Sequence, residues 1–230
     1  MRPFIRYFGG KFRAAPRYPQ PRYKRIVEPF AGAAGYSLRY FYHDVILVEN
    51  YLVLVEMWDF LIHATEQDIL SIPFVEHVDE LPSRVPKGAR HLVGFAMNSA
   101  TTTPRKQLSA GRKKKMIAAG RKYEGWSDAH KQSVARQVPL IKHWKIIYGD
   151  YSCVKGEATW FVDPPYQVAG KYYKHKNIDY VKLGEWCRQL EGQAIVCENV
   201  GADWLPFKPF AIFQGAFARP GSQEALWTNE

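Results

Sequence analysis

A chain of 230 residues that is 47% hydrophobic and 15% aromatic carries enough apolar mass for one folded domain, at most with an inserted lobe, which excludes global disorder. Its apolar runs, such as VILVENYLVLVEMW, are interrupted by Glu49 and Glu56 and are too short to span a bilayer, and MRPFIRYFGGK lacks the apolar stretch of a secretory signal. The formal net charge of +10 points toward acidic partners rather than basic ones.

In chain order, RIVE (25–28) reads as a short strand running into PFAGAAG, with a helix expected from near Gly35. VILVEN (45–50) is a second strand ending in an acid, and residues 51–70 have the apolar spacing of a helix. Residues 71–91 are rich in proline and charge and read as a connection. HLVGFAMN (91–98) is expected to be ordered, and TTTPRKQLSAGRKKK (101–115) to be a mobile loop. A helix is predicted over 127–142, then core strands at KIIYGD (145–150) and TWFVD (159–163). DYVKLGEWCRQL (179–190) has amphipathic helical spacing, AIVCEN (194–199) is the next strand, and FAIFQG and EALWTN close the sheet. Strands alternating with helices imply an α/β fold built on a mainly parallel sheet.

Charge is unevenly placed along this order. Between Arg84 and Lys145 there are fifteen Lys or Arg and only two acids, a local charge of +13 that leaves −3 for the rest of the chain. A near-neutral body bearing one strongly basic segment suggests a polyanionic partner, nucleic acid first. Cys153, Cys187 and Cys197 are odd in number, form no CxxC pair and read as reduced core thiols of a cytoplasmic chain. No His, Cys and Asp cluster has zinc spacing, so no metal is expected.

Three short stretches carry the chemistry. In VEPFAGAAG, Gly32 and Gly35 follow a strand where a ligand needs close backbone approach, and Glu49 ends the next strand, seventeen residues beyond Gly32. A carboxylate at that tip can accept both hydroxyls of a ribose, which suggests an adenosine-containing ligand; GxxxxGK[ST] and GxGxxG are both absent, which disfavours nucleoside triphosphates and NAD. RYFGGK (6–11) offers a flexible turn ending in a cation, Lys11, suited to a ligand carboxylate. FVDPPY (161–166) sets Asp163, Pro164, Pro165 and Tyr166 on a stiff turn at a strand's C-terminal edge, since consecutive prolines end the ladder and fix the backbone that follows.

RYFGGK, EPFAGAAG and DPPY, in that order and with a basic region before the last, resemble the Dam-like, alpha-class DNA adenine-N6 methyltransferases of compact phage or bacterial type. The resemblance runs from Tyr7 to the C-terminus and is weakest from about 70 to 140. It implies a Rossmann-like S-adenosylmethionine-dependent methyltransferase sheet formed by residues 1–70 and 140–230, with 71–139 as a small inserted recognition lobe. By motif position it implies cofactor contacts from Tyr7, Gly10, Lys11, Phe30, Gly32, Glu49 and Asp163, with Asp150 and Tyr151 beside the adenine. Asp163, Pro164, Pro165 and Tyr166 would form the catalytic turn, with Asp163 and the Pro164 carbonyl holding an adenine amine and Tyr166 stacking on the extruded base. The sequence departs from F-x-G-x-G at Ala34, whose methyl is expected to narrow the loop.

Phosphate contacts are expected from Arg105, Lys106, Arg112, Lys113, Lys114 and Lys115. QVAGKYYKHKN (167–177) mixes Tyr172, Tyr173 and Lys174 in a loop that could close on a displaced strand. The expected partner is double-stranded DNA, with no membrane and a monomeric or weakly dimeric chain. Two alternatives stay open: a methyltransferase acting on RNA or cytosine N4, and a catalytically silent DNA-binding protein with the same fold. Asp163 favours adenine, because cytosine-N4 relatives commonly carry serine there.

Overall fold

Apolar strands with buried faces on both sides assemble into one seven-stranded sheet. The computed structural model describes residues 1–97, 101–118, 120, 125–167, 177–212 and 223–229. The strands are β1 (Arg25–Glu28), β2 (Asp44–Glu49), β3 (Lys145–Tyr148), β4 (Ala158–Val162), β5 (Gly192–Asn199), β6 (Lys208–Ile212) and β7 (Gln223–Thr228). Their order across the sheet is β3-β2-β1-β4-β5-β7-β6. β1 to β5 pair in parallel, while β7 runs antiparallel to both β5 and β6. The mainly parallel α/β sheet read from the sequence is therefore the fold, and it is Rossmann-like.

Alternation along the strands splits the core in two. Ile26, Leu47, Phe161 and Ile195 face one cluster, which also takes up side chains from the N-terminal segment and from helices α1 (Leu52–His63), α3 (Lys87–Met97) and α5 (Asp128–Ala135). Val27, Val48, Trp160 and Val196 face the other, covered by α6 (Tyr180–Arg188). The whole stretch from α1 to α5 is the crossover from β2 to β3. Residues of 71–139 such as Leu92, Trp126 and Val134 bury in the same cluster as β1 and β2.

Four local expectations change. The helix predicted from Gly35 is instead a run of turns over 32–42. Arg39, Tyr40 and His43 donate to carbonyls three residues back, and only Leu38 reaches four back, to Ala34. Ala34 sits at φ 49°, which breaks the right-handed path where a helix would begin. The helix over 51–70 is two helices, α1 and α2 (Glu66–Ser71), because Ala64 is extended and Thr65 starts the second. There the Thr65 side chain accepts from Asp68 N and Asp68 accepts from Thr65 N, a reciprocal capping box. The 101–115 stretch is not a free loop: Thr101 bridges Tyr7, Gln107 bridges His77, and residues from 110 onward form α4 (Ala110–Ala118). The helix over 127–142 breaks after Ala135 into a 3-10 turn, Val138–Ile141, with a proline in its first turn.

Cys187 and Cys197 are buried, but Cys153 is exposed and fills no core. Among the described residues, no helix is long and apolar enough to cross a membrane, and no group of three His, Cys, Asp or Glu could hold a metal.

Candidate active site at the strand tips

In the sheet order, β1 leads outward to β2 and β3 on one side, whereas β4 leads to β5 on the other. The boundary between β1 and β4 is thus a topological switch point, where an open parallel sheet leaves a crevice above the strands' C-terminal ends. A cavity of 420 Å³ lies there. Three neighbouring strands bring an acid to its wall: β1 ends at Glu28, β2 at Glu49, and β4 runs into Asp163.

The DPPY turn is held from several sides. The Asp163 carboxylate forms an ion pair with Lys11, whose Nζ lies 2.8 Å from Oδ1 and donates a 3.0 Å hydrogen bond to Oδ2. Lys11 is only 7% exposed and Asp163 18%. The same ammonium lies 3.8 Å from Glu224 Oε1 and 4.8 Å from the centre of the Tyr166 ring, and donates to Gly9 O at 3.1 Å. Lys11 can reach this point because a 3-10 turn, Lys11–Arg13, begins directly after the glycine pair. Burial pushes the Asp163 carboxyl above the usual carboxylate range, and the Lys11 charge opposes that rise. Lys11, expected to meet a ligand, is thus also the counter-ion of the DPPY acid.

Beyond Asp163, the Pro165 carbonyl accepts a 2.6 Å hydrogen bond from Tyr180, and Gln167 N donates to Glu198 at 3.0 Å. Among the described residues the Pro164 carbonyl has no hydrogen-bond donor. A buried peptide oxygen without a donor costs about 1–3 kcal/mol, which a donor from a ligand would recover. The Tyr166 hydroxyl is buried beside Asp163 at a geometry that makes no hydrogen bond.

The glycine loop closes the opposite wall. Gly32 has φ 47°, and a Cβ there would lie 3.4 Å from the Tyr7 ring, so the aromatic of RYFGGK packs directly on the loop. Gly32 N donates to Glu49 Oε2 at 3.2 Å, and its carbonyl accepts from Trp58 Nε1 at 2.9 Å. At Gly35 a Cβ would fall 2.5 Å from Phe12 N, so the two backbones meet too closely for any side chain. Gly10 is less confined, its Cβ position 3.3 Å from Tyr7 O. Ala34 does more than narrow this loop: it occupies a left-handed backbone at a cost of roughly 1 kcal/mol.

Glu49 Oε1 accepts from Asn50 N and Tyr51 N, each at 3.0 Å, so the carboxylate's orientation is fixed by three peptide donors. Burial raises its pKa against those bonds. Phe30 stacks on Tyr151 with centroids 5.5 Å apart, and Tyr151 meets the edge of Trp186. Asp150 accepts from Ser152 N and Oγ at 3.1 and 2.8 Å. Tyr7, Gly10, Lys11, Phe30, Gly32, Glu49, Asp150, Tyr151 and Asp163 all line the one cavity. Of the DPPY turn, Pro165 lines it too, while Pro164 is buried and Tyr166 lies against the Lys11 ammonium.

Sequence reasoning missed four residues of this site. Glu28 is 2% exposed and accepts a 2.6 Å bond from Ser37 N, and burial lifts its carboxyl to about 8. It carried the same signal as Glu49, an acid at a strand tip. Asp179 caps α6 by accepting from Lys182 N and also lines the cavity. Glu224 and its donor Tyr18 have no local signature, because they meet across 206 positions of sequence.

The charged side chains of the cavity wall are unbalanced. Lys11 stands against Glu49, Asp150, Asp163 and Asp179, while burial keeps Glu28 largely protonated at neutral pH. Such a wall repels phosphates and suits a ligand bearing a cation and hydroxyl or amine donors. The basic residues lie elsewhere. Lys106 pairs with Asp79 at 2.8 Å on the surface, Arg105 N binds Gly94 O, and Lys113 and Lys114 sit on α4; none lines the cavity. The side chains of Arg112 and Lys115, and residues Tyr172, Tyr173 and Lys174, lie outside the described residues. No known protein family matches the chain, and no curated protein is similar to it.

Proposed function

We propose that this chain is an S-adenosylmethionine-dependent DNA adenine-N6 methyltransferase. The observation that carries the reading is Asp163, paired with Lys11 at the wall of an acid-lined cavity at the sheet's switch point and followed directly in the chain by the undonated Pro164 carbonyl. The residues fit the cofactor. Glu49, oriented by three peptide N–H groups, can accept ribose hydroxyls, and one cation for several acids matches a ligand with a sulfonium, an ammonium and one carboxylate. The cavity volume of 420 Å³ falls within the range of about 300–1,000 Å³ of small-molecule sites. When bound, the cofactor supplies a methyl group made electrophilic by its sulfonium.

The chain's own residues do the rest. An adenine N6 amine is a poor nucleophile because its lone pair is delocalised into the ring. Asp163 and the Pro164 carbonyl each accept one of its N–H bonds, which localises the lone pair on nitrogen and aims it. Lys11 opposes the rise that burial imposes on the Asp163 carboxyl and fixes its plane. As the nitrogen–carbon bond forms and the carbon–sulfur bond breaks, the nitrogen must lose one proton, and Asp163 is the acceptor already in contact. Orientation of two bound reactants is worth about 7–11 kcal/mol, so positioning supplies most of the acceleration. Base extrusion costs a few kcal/mol, of which one aromatic platform returns roughly 1–3.

The test is incubation of the purified chain with tritiated S-adenosylmethionine and unmethylated duplex DNA, followed by digestion to nucleosides. Label in N6-methyldeoxyadenosine is expected, and Asp163→Ala should abolish it while leaving DNA affinity intact. Label confined to RNA or to N4-methylcytosine would move the substrate. DNA binding without any label would leave a silent binding protein and overturn the proposal.

A further inference from the structure

The −3 left outside the central basic segment averages over a second basic stretch. Residues 1–27 contain eight Lys and Arg and no Asp or Glu. Of the eight, only Lys11 is buried. Residues 7–11 of this stretch line the cavity. Arg2 N donates to Gln137, His130 contacts Phe4 O, and Tyr7 bridges Thr101, so the first residues are joined to the central basic segment. Lys11 then enters the site. Two short 3-10 turns, Lys11–Arg13 and Ala15–Arg17, follow immediately, and Tyr18 returns to the site by donating to Glu224. Arg13 and Arg17 are both exposed, while Ala14 and Ala15 between them are buried. Arg13 lies two positions beyond Lys11 and Arg17 directly precedes Tyr18, so each is tied within about 7 Å of backbone to a side chain that reaches the site.

Resting on the proposed action on DNA, we infer that Arg13 and Arg17 form a second phosphate clamp at the rim of the Asp163 site. They grip the backbone next to the extruded nucleotide, opposite the contacts of the central basic segment. A guanidinium on a short turn fixed at both ends by buried side chains loses little freedom on gripping a phosphate, and its planar fork suits that oxygen geometry. Lys24 and Arg25 belong to the same basic stretch but lie at the N-terminal end of β1, the strand end opposite the cavity, and have no place in the clamp.

The experiment compares the intact chain with R13Q/R17Q and with K24Q/R25Q, which removes the same charge from the opposite strand end. Affinity for a short fluorescent duplex is measured between 50 and 200 mM salt, with thermal melting to confirm folding. Each phosphate contact contributes about 0.9 to the salt slope, so losing two should reduce the fall in affinity over that range by about 12-fold in R13Q/R17Q. K24Q/R25Q should keep the parent slope, and R13K/R17K should restore it. An unchanged slope in R13Q/R17Q, or an equal reduction in K24Q/R25Q, overturns the clamp. If the parent chain itself shows no salt-dependent duplex binding, the proposed function fails instead, which separates the two outcomes.

Discussion

Replacing Glu28 with glutamine should remove a pH-dependent burden on the fold. Glu28 is buried at the tip of β1 with one peptide donor, Ser37 N, and burial raises its carboxyl from the ordinary 4.5 to about 8. The folded state therefore holds a proton that the unfolded chain has already lost, so stability falls as pH rises from 4.5 to about 8 and is level above that. At about 1.36 kcal/mol per pH unit, the full effect approaches 5 kcal/mol, of which about 3 kcal/mol is lost between pH 6 and 9. Glutamine keeps the acceptor for Ser37 N but cannot ionise. Urea unfolding at pH 6, 7, 8 and 9 should show parent stability declining and Glu28→Gln nearly flat in comparison, with the variant more stable at pH 9. Glu49 and Asp163 are raised in the same direction and remain in both proteins, so the difference between the two curves isolates Glu28. Parallel curves would refute the placement of an ionisable carboxyl in an apolar strand tip.

Other outcomes follow from the same geometry. Glu49→Gln cannot satisfy all three peptide donors and loses its charge. Calorimetric affinity for S-adenosylmethionine should fall roughly 10- to 150-fold, the equivalent of about 1.5–3 kcal/mol for a charged hydrogen bond. Gly88→Ala places a methyl 2.1 Å from Glu56 O and 2.5 Å from Phe60 Cβ, so α3 must move off α1, and denaturant midpoints should report a loss of about 1–3 kcal/mol. Replacing Lys113, Lys114 and Lys115 with alanine should weaken duplex binding and flatten its salt dependence by about 0.9 per contact, while methyl transfer at saturating DNA persists.

Much of this architecture was legible locally. A strand needs only four to six apolar residues with turn chemistry around them, so RIVE, VILVEN, TWFVD and AIVCEN could be read directly, and parallel pairing followed from the intervening helices. DPPY and Glu49 were readable for the same reason: each is an acid whose neighbours already place it at a strand's end. Ala34 was visible as a departure, but not that its backbone would turn left-handed and suppress the helix after it.

What the tertiary structure alone decided is everything that depends on distant parts of the chain meeting. Lys11 looked like a ligand cation by itself, and only the approach of residue 11 to residue 163 makes it the partner of Asp163 as well. Glu224 and Tyr18 could not have been nominated, since β7 inserts between β5 and β6 and brings them together from opposite ends of the sequence. Glu28 carried a readable position but not its high pKa, which comes from the packing above β1. Local propensity sets where strands start and stop; which carboxylates end up sharing one low-dielectric cavity is set by strand order, and strand order is a property of the assembled sheet.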